Sequence, residues 1–275
     1  MSGSRWKSFG MHAVLVLCAL VVIFPVAWIG LAAFKTQIAL LTGKLWFQPV
    51  WTNFDELLFS RTSDYLSNFI NSLLIATAST FAVAVFATMA AYSLHRLRWP
   101  TWVPAVVMLW SAVFHMLPPI TMVGPWYVMF RMLDLDNTYT CLILTHVALN
   151  LPIGIWLMSV FVREIPLELE EAAQMDGCTT PQMLLDIVVP LVAPGLAAMS
   201  ILVFVFSWNE FAVALNLTAK QTATVPVAIA KFAQEYEIKH GVMAAGAVLS
   251  VIPAIILLLI AQRQIVKGLT AGAVK

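Results

Sequence analysis

Six stretches of the chain are long and apolar, near residues 11–34, 68–94, 101–121, 138–161, 194–217 and 242–262. Each reaches the roughly 20 residues a helix needs to cross a bilayer. Polar positions fall between these stretches rather than along one side of each, so the predicted helices are buried all round, in lipid or in one another. Strands of a membrane barrel would alternate apolar and polar side chains over about 10 residues, and no stretch does so. The pattern predicts an all-α membrane protein. Its bundle of six transmembrane helices occupies 11–265, between short tails at 1–10 and 266–275.

Composition agrees. Of 275 residues, 61% are hydrophobic and 11% charged, against about 25% charged in a soluble domain. So few charges cannot coat a water-facing surface. The first stretch, 11–34, exceeds the roughly 7–15 apolar residues of a cleaved signal, and it reads as an uncleaved first span. A net charge of +1 offers nothing to nucleic acid. Cys18, Cys141 and Cys178 have no partners at metal-ligand spacing and read as small apolar filler. His115 and His146 are isolated in apolar stretches, and no metal site is expected.

Six spans put both termini on one side. Arg5 and Lys7, Arg96 and Arg98 in the short 95–100 turn, and Arg263, Lys267 and Lys275 all fall on that side, which is therefore the cytoplasm. Segments 35–67 and 218–241 are then external. The first carries Trp46 and Trp51, residues favoured at a membrane interface. Pro118-Pro119 and Gly124 interrupt the ladder in 118–137, which reads as a broken, partly re-entrant external helix.

The cytoplasmic loop 163–193 holds Glu164, Glu168, Glu170, Glu171, Asp176 and Asp186 against one base, Arg163. Pro166 opens a short helix over 167–175 with acidic residues early, where the helix dipole favours them. Gly177 stops it. Thr180 and Pro181 start a second helix as cap and first residue, and Pro190 and Pro194 break it. Small Ala172 and Ala173 beside Glu171 let another surface come close. Composition alone fits a solvated surface helix as well as a plug for a basic groove.

The run Glu171-Ala172-Ala173-x-x-Asp176-Gly177, followed by Ile187-x-x-Pro190, resembles the EAA loop of ABC importer permeases. Within them the chain is similar to the carbohydrate-importer type, the family of binding-protein-dependent inner membrane components that includes the maltose permease. Trp208-Asn209-Glu210-Phe211, Asn71-Ser72 and the tail Gln262-Arg263-x-Ile265-Val266-x-Gly268-Leu269-Thr270-Ala271-Gly272-Ala273-Val274-Lys275 extend the likeness. Cys178 departs from it by standing where alanine or another small residue is usual.

The resemblance implies a permease subunit whose coupling helix sits in a cleft of a separate ATP-binding subunit. Glu171 would pair there with a basic residue, and Glu168, Ala172, Ala173, Asp176, Gly177, Ile187 and Pro190 would shape the loop. It also implies a second, similar permease chain making a heterodimer, two ATP-binding subunits that hold ATP and magnesium, and an extracytoplasmic solute-binding protein. Segments 35–67 and 218–241, with Trp46, Trp51, Lys231 and Glu235, would be the landing surface for that protein. No cofactor is expected on this chain. A nucleotide-binding G-x-x-x-x-G-K-[ST] loop is missing from the sequence, and Gly43-Lys44 is followed by Leu45.

Polar groups inside spans are costly and default to functional candidates. Asn71, Ser72, Asn150, Trp208, Asn209 and Glu210 are the candidates for a solute path. Glu210 would accept sugar hydroxyls, with Trp208 as a platform for the ring. Each candidate is equally readable as a packing hydrogen bond between helices. The cargo is expected to be a sugar, oligosaccharide or polyol, with glycerol-3-phosphate or another small solute the alternative. No catalytic pair at membrane depth points to an enzyme, and no inverted repeat points to an ion-driven carrier.

Overall fold

The computed structural model describes residues 3–61, 63–233 and 238–271, with side chains for 10–61, 63–233, 238–260 and 262. Among them every regular element is a helix. Four helices are long and apolar enough to span: α1 (Gly3–Ala32), α4 (Tyr65–Arg96), α7 (Tyr139–Arg163) and α14 (His240–Ala271). Between α1 and α4 lie the short α2 (Gln37–Leu41) and α3 (Thr52–Phe59). α5 (Trp102–Met116) and α6 (Ile120–Met132) form a pair bent by 101°. After α7 come α8 (Leu167–Met175), α9 (Thr180–Gln182), a wider π-helical turn at Met183–Val188 and α10 (Val189–Leu191). α11 (Ala193–Trp208) leaves that run at 79°, and α12 (Ala212–Leu217) and α13 (Val225–Lys231) follow. Counting each bent pair as one span gives six.

Several expected boundaries move. The third stretch ends at Met116 instead of 121, because Pro119 cannot continue the ladder and Leu117 is extended. The fifth ends at Trp208 instead of 217, where Asn209 leaves the helical geometry. The N-terminal tail is helical from Gly3, and helix continues through the tail as far as Ala271. Gly272 and the residues after it lie outside the described residues, as does Glu235.

The chain divides into two compact units, Met1–Leu66 with Ala228–Ile252, and Ser67–Val227 with Pro253–Lys275. In the first, buried Asn53 donates to the carbonyls of Ala33 (2.8 Å) and Lys35 (2.9 Å), tying α3 to the end of α1. The Lys35 side chain is buried. Its ammonium donates to the Lys44 carbonyl at 2.9 Å and lies 4.8 Å from the ring centres of Trp28 and Phe47. Trp46 is 94% exposed. Along α1 the apolar side chains point outward, as suits a span whose neighbours are lipid or other chains.

In the second unit the core lies between α4, α7 and α11. Val83, Ala87, Met158, Met199 and Val203 are buried there. Two glycines set the helix spacing. A Cβ on Gly154 would lie 2.7 Å from Val83 Cγ1, and one on Gly195 would lie 2.2 Å from Phe161 Cδ2. Small residues at such crossings let helices pack closely in a membrane.

Candidate functional site

The 163–193 loop folds as two short helices. Pro166 brings the chain into α8 in an extended conformation, and Glu168 and Glu170 stand in its first turn. The helix stops at Gly177, whose φ of +85° is open to glycine at no steric cost. There the N–H of Cys178 donates to Ala173 O and that of Gly177 to Gln174 O, both at 3.0 Å. The cap of the next helix is Thr179, not Thr180. The Gln182 side-chain oxygen accepts from the Thr179 N–H (2.9 Å) and hydroxyl (2.8 Å). Pro181 follows in the second helical position, and Pro190 has no N–H to offer the ladder just past the π-helical turn.

α8 has two faces. Glu168, Glu171, Ala172 and Asp176 are exposed, as is Gly177. Ala173, read from sequence as part of the outward small face, is instead buried in the core beside Met183 and Val188. Its helical neighbour one turn back, Glu170, is buried as well. Ile187 packs half-buried against the same core, and Pro190 is exposed.

Glu170 was not singled out by its sequence position. Its carboxylate meets Arg96 at the end of α4, with Nε 2.5 Å from Oε1 and both side chains less than a tenth exposed. Arg96 Nη2 also donates to the carbonyls of Val162 (2.9 Å) and Ile165 (2.8 Å) at the end of α7. Tyr92 donates to the other carboxylate oxygen at 3.2 Å. Arg96, counted from sequence among the bases of the short 95–100 turn, is thus an internal strut. One hint was available: Glu170 and Ala173 share a face at i, i+3 spacing.

The solute-path candidates separate into groups. Asn71 Nδ2 donates to Gln221 O (2.9 Å) and Ala223 O (3.0 Å), and its Oδ1 accepts from the Tyr139 hydroxyl (2.7 Å). Ser72 Oγ accepts from the Val225 N–H at 2.8 Å. Asn137, which the sequence reading passed over, accepts from the Ala219 N–H and the Thr222 hydroxyl, both at 2.8 Å. These three side chains pin segment 218–225. Asn150 is buried and donates back to His146 O at 2.8 Å. His146 is fully buried, with Nδ1 2.6 Å from Ser207 Oγ and Nε2 3.7 Å from Glu210 Oε2. Glu210 turns its two oxygens to the N–H groups of Val213 (2.8 Å) and Ala214 (2.9 Å), capping α12.

Trp208 is not an open platform in this structure. Its ring stacks on Phe204, with centroids 5.7 Å apart, and Phe69 meets it edge-on at 5.4 Å. Asn209 differs from the rest: it is exposed, and its amide donates to Val205 O of its own helix at 2.8 Å. Among the described residues no three His, Cys, Asp or Glu side chains gather as a metal ion would require.

The family model for the binding-protein-dependent transport system inner membrane component matches residues 83–271. The chain belongs to that family. It is therefore a multi-pass membrane permease of the ABC-importer kind, as the EAA-like run and the bundle of apolar helices led us to expect. The trehalose transport system permease protein SugB of Mycobacterium tuberculosis is 41% identical, over 92% of each chain. The sulfoquinovosyl glycerol transport system permease protein SmoH of Agrobacterium fabrum is 35% identical, over 92% of this permease and 89% of SmoH. Among solved structures, a bacterial ABC transporter involved in the import of the acidic polysaccharide alginate superposes with a TM-score of 0.78 at 21% identity, over 96% of this chain and 98% of that one. That likeness establishes the shared fold.

Proposed function

We propose that this permease forms half of the translocation path for a carbohydrate and draws its energy from a separate ATPase, through the exposed face of α8. The observation that carries the coupling reading is the division of α8 into an anchored face and a free acidic one. Glu170 and Ala173 hold the helix to the bundle, while Glu168, Glu171, Ala172 and Asp176 stand outward. A small, acidic, pre-oriented helix suits a groove lined by basic residues. ATP and magnesium belong to the partner in this reading, because the chain carries no phosphate-cradling loop of the G-x-x-x-x-G-K-[ST] kind. The termini and α8 face the cytoplasm. A second, similar permease completes the path as a heterodimer, two ATP-binding subunits drive it, and an extracytoplasmic solute-binding protein delivers the cargo.

The carbohydrate class is supported by relatives named for a disaccharide and a glycoside. For the path itself, Asn209 is the candidate with an exposed side chain, whereas Asn71, Ser72, Asn150 and Glu210 are engaged in hydrogen bonds to backbone and Trp208 in ring contacts. The coupling test is Glu171→Lys in the assembled transporter in liposomes. Loss of the ATPase subunit from the purified complex, or uptake below a tenth of parental, is expected. Parental uptake would remove the role given to Glu171. The cargo test measures the melting temperature of the cognate binding protein with trehalose, maltose or glycerol-3-phosphate. A sugar should raise it, and a rise with glycerol-3-phosphate alone would overturn the carbohydrate assignment.

A further inference from the structure

We propose that the Arg96–Glu170 ion pair makes α8 and the ends of α4 and α7 move as one body, so that both residues are positioning residues for coupling. This rests on the reading above, that the outer face of α8 meets an ATPase. The geometry is specific. One guanidinium bridges three elements: it extends from α4, grips the α8 carboxylate through Nε and reaches two carbonyls at the end of α7 through Nη2. Its charge also lies where the dipole of α7 favours a cation. A lysine could not reproduce that fork. Tyr92, one turn before Arg96 on α4, holds the second carboxylate oxygen and lies 3.3 Å from Met183 Sδ at the start of the π-helical turn.

Buried ion pairs are weak contributors to net stability, since an apolar pair of similar volume often serves as well. Their best-attested use is to fix one arrangement over others. Here the arrangement fixed is that of α8. Glu170 and Glu171 are adjacent in the chain and project about 100° apart around the helix. One faces into the bundle and the other out. A displacement applied at Glu171 therefore passes within a single residue to a carboxylate clamped to two apolar helices. Without the clamp, α8 would keep its outward acidic face yet pivot on its connections at Pro166 and Gly177.

The experiment uses the full transporter in liposomes, with Glu170→Gln, the paired Arg96→Met/Glu170→Met, and Glu171→Lys run in parallel. The paired variant leaves no unpaired buried charge, so it reaches the membrane even if the single one misfolds. Three quantities are read: ATPase subunit retained on purification, solute taken up per ATP hydrolysed, and amide exchange in 167–175. The expected result for both Glu170 variants is retention of the ATPase subunit, an at least fivefold fall in uptake per ATP, and an at least tenfold rise in exchange confined to 167–175. Parental uptake per ATP in the paired variant would overturn the proposal. Loss of the ATPase subunit from Glu170→Gln would overturn it too, by placing Glu170 in the docking surface. If Glu171→Lys alone behaves as parental, the docking reading falls and the exchange rates still judge the clamp.

Discussion

Replacing Asn71 by alanine removes two donors and one acceptor at once. The two donors hold the carbonyls of Gln221 and Ala223, and the acceptor holds the Tyr139 hydroxyl on α7. The Ala223 carbonyl belongs to a buried residue and loses its partner without access to water, whereas Gln221 is exposed and can be rehydrated. A net intramolecular hydrogen bond is worth about 0.5–1.5 kcal/mol, and a buried orphaned group costs about 1–3 kcal/mol. Bonds between membrane helices average about 0.6 kcal/mol, which is the share for Tyr139. Together these predict about 2–5 kcal/mol of lost anchoring for segment 218–225, at least roughly 30-fold more frequent opening at 1.4 kcal/mol per factor of ten. Amide exchange across 218–225 in the assembled transporter measures it directly. Asn71→Asp should be no better, because a carboxylate oxygen would face the two carbonyls. The comparison is Asn209→Ala: its exposed amide makes one bond to its own helix, so melting should shift by no more than about 0.5 kcal/mol while uptake falls. Unchanged exchange in Asn71→Ala would refute the anchoring argument, however the uptake behaves.

Two further substitutions test the backbone and the helix crossing. Gly177→Ala places a side chain at φ +85°, where an L-residue costs about 1–2 kcal/mol; the end of α8 should fray in amide exchange, and Gly177→Asn should fray less. Gly195→Ala drives a methyl into the ring of Phe161 and should destabilise the α7–α11 crossing by about 1–3 kcal/mol in thermal melts, with partial recovery when Phe161→Ala is added.

The helices were legible because a bilayer demands long apolar runs: α7 lies close to its expected stretch, and α14 starts within two residues of its own. The loop was legible because Pro166 and Gly177 punctuate α8 at both ends. What was hidden are facts of pairing. Arg96 and Glu170 are far apart in sequence, and nothing local says that this arginine, rather than Arg98 two residues on, turns inward. Glu210 was visible as a carboxylate in an apolar stretch, but not as the residue that ends that stretch: by accepting the N–H groups of Val213 and Ala214 it stabilises a new helix start and supports the break after Trp208.

That break bears on where a solute can touch the chain. A polar atom at membrane depth without a partner costs several kcal/mol, so a permease is under pressure to pair each one internally. Asn71, Ser72, Asn137, Asn150 and Glu210 follow that rule, each bonded to backbone of its own or a neighbouring element. Such groups shape a path without needing to reach into it. A solute rich in hydroxyls must find donors and acceptors that are still open, and these arise where helical geometry ends and the side chain turns outward. Asn209 stands at that point, between the stacked Trp208 and the capping Glu210. In the reading proposed above, the two neighbours that looked like the sugar site from sequence would support one exposed amide, and Asn209→Ala, with parental melting and reduced uptake as the expected result, is the variant that separates contact from scaffold.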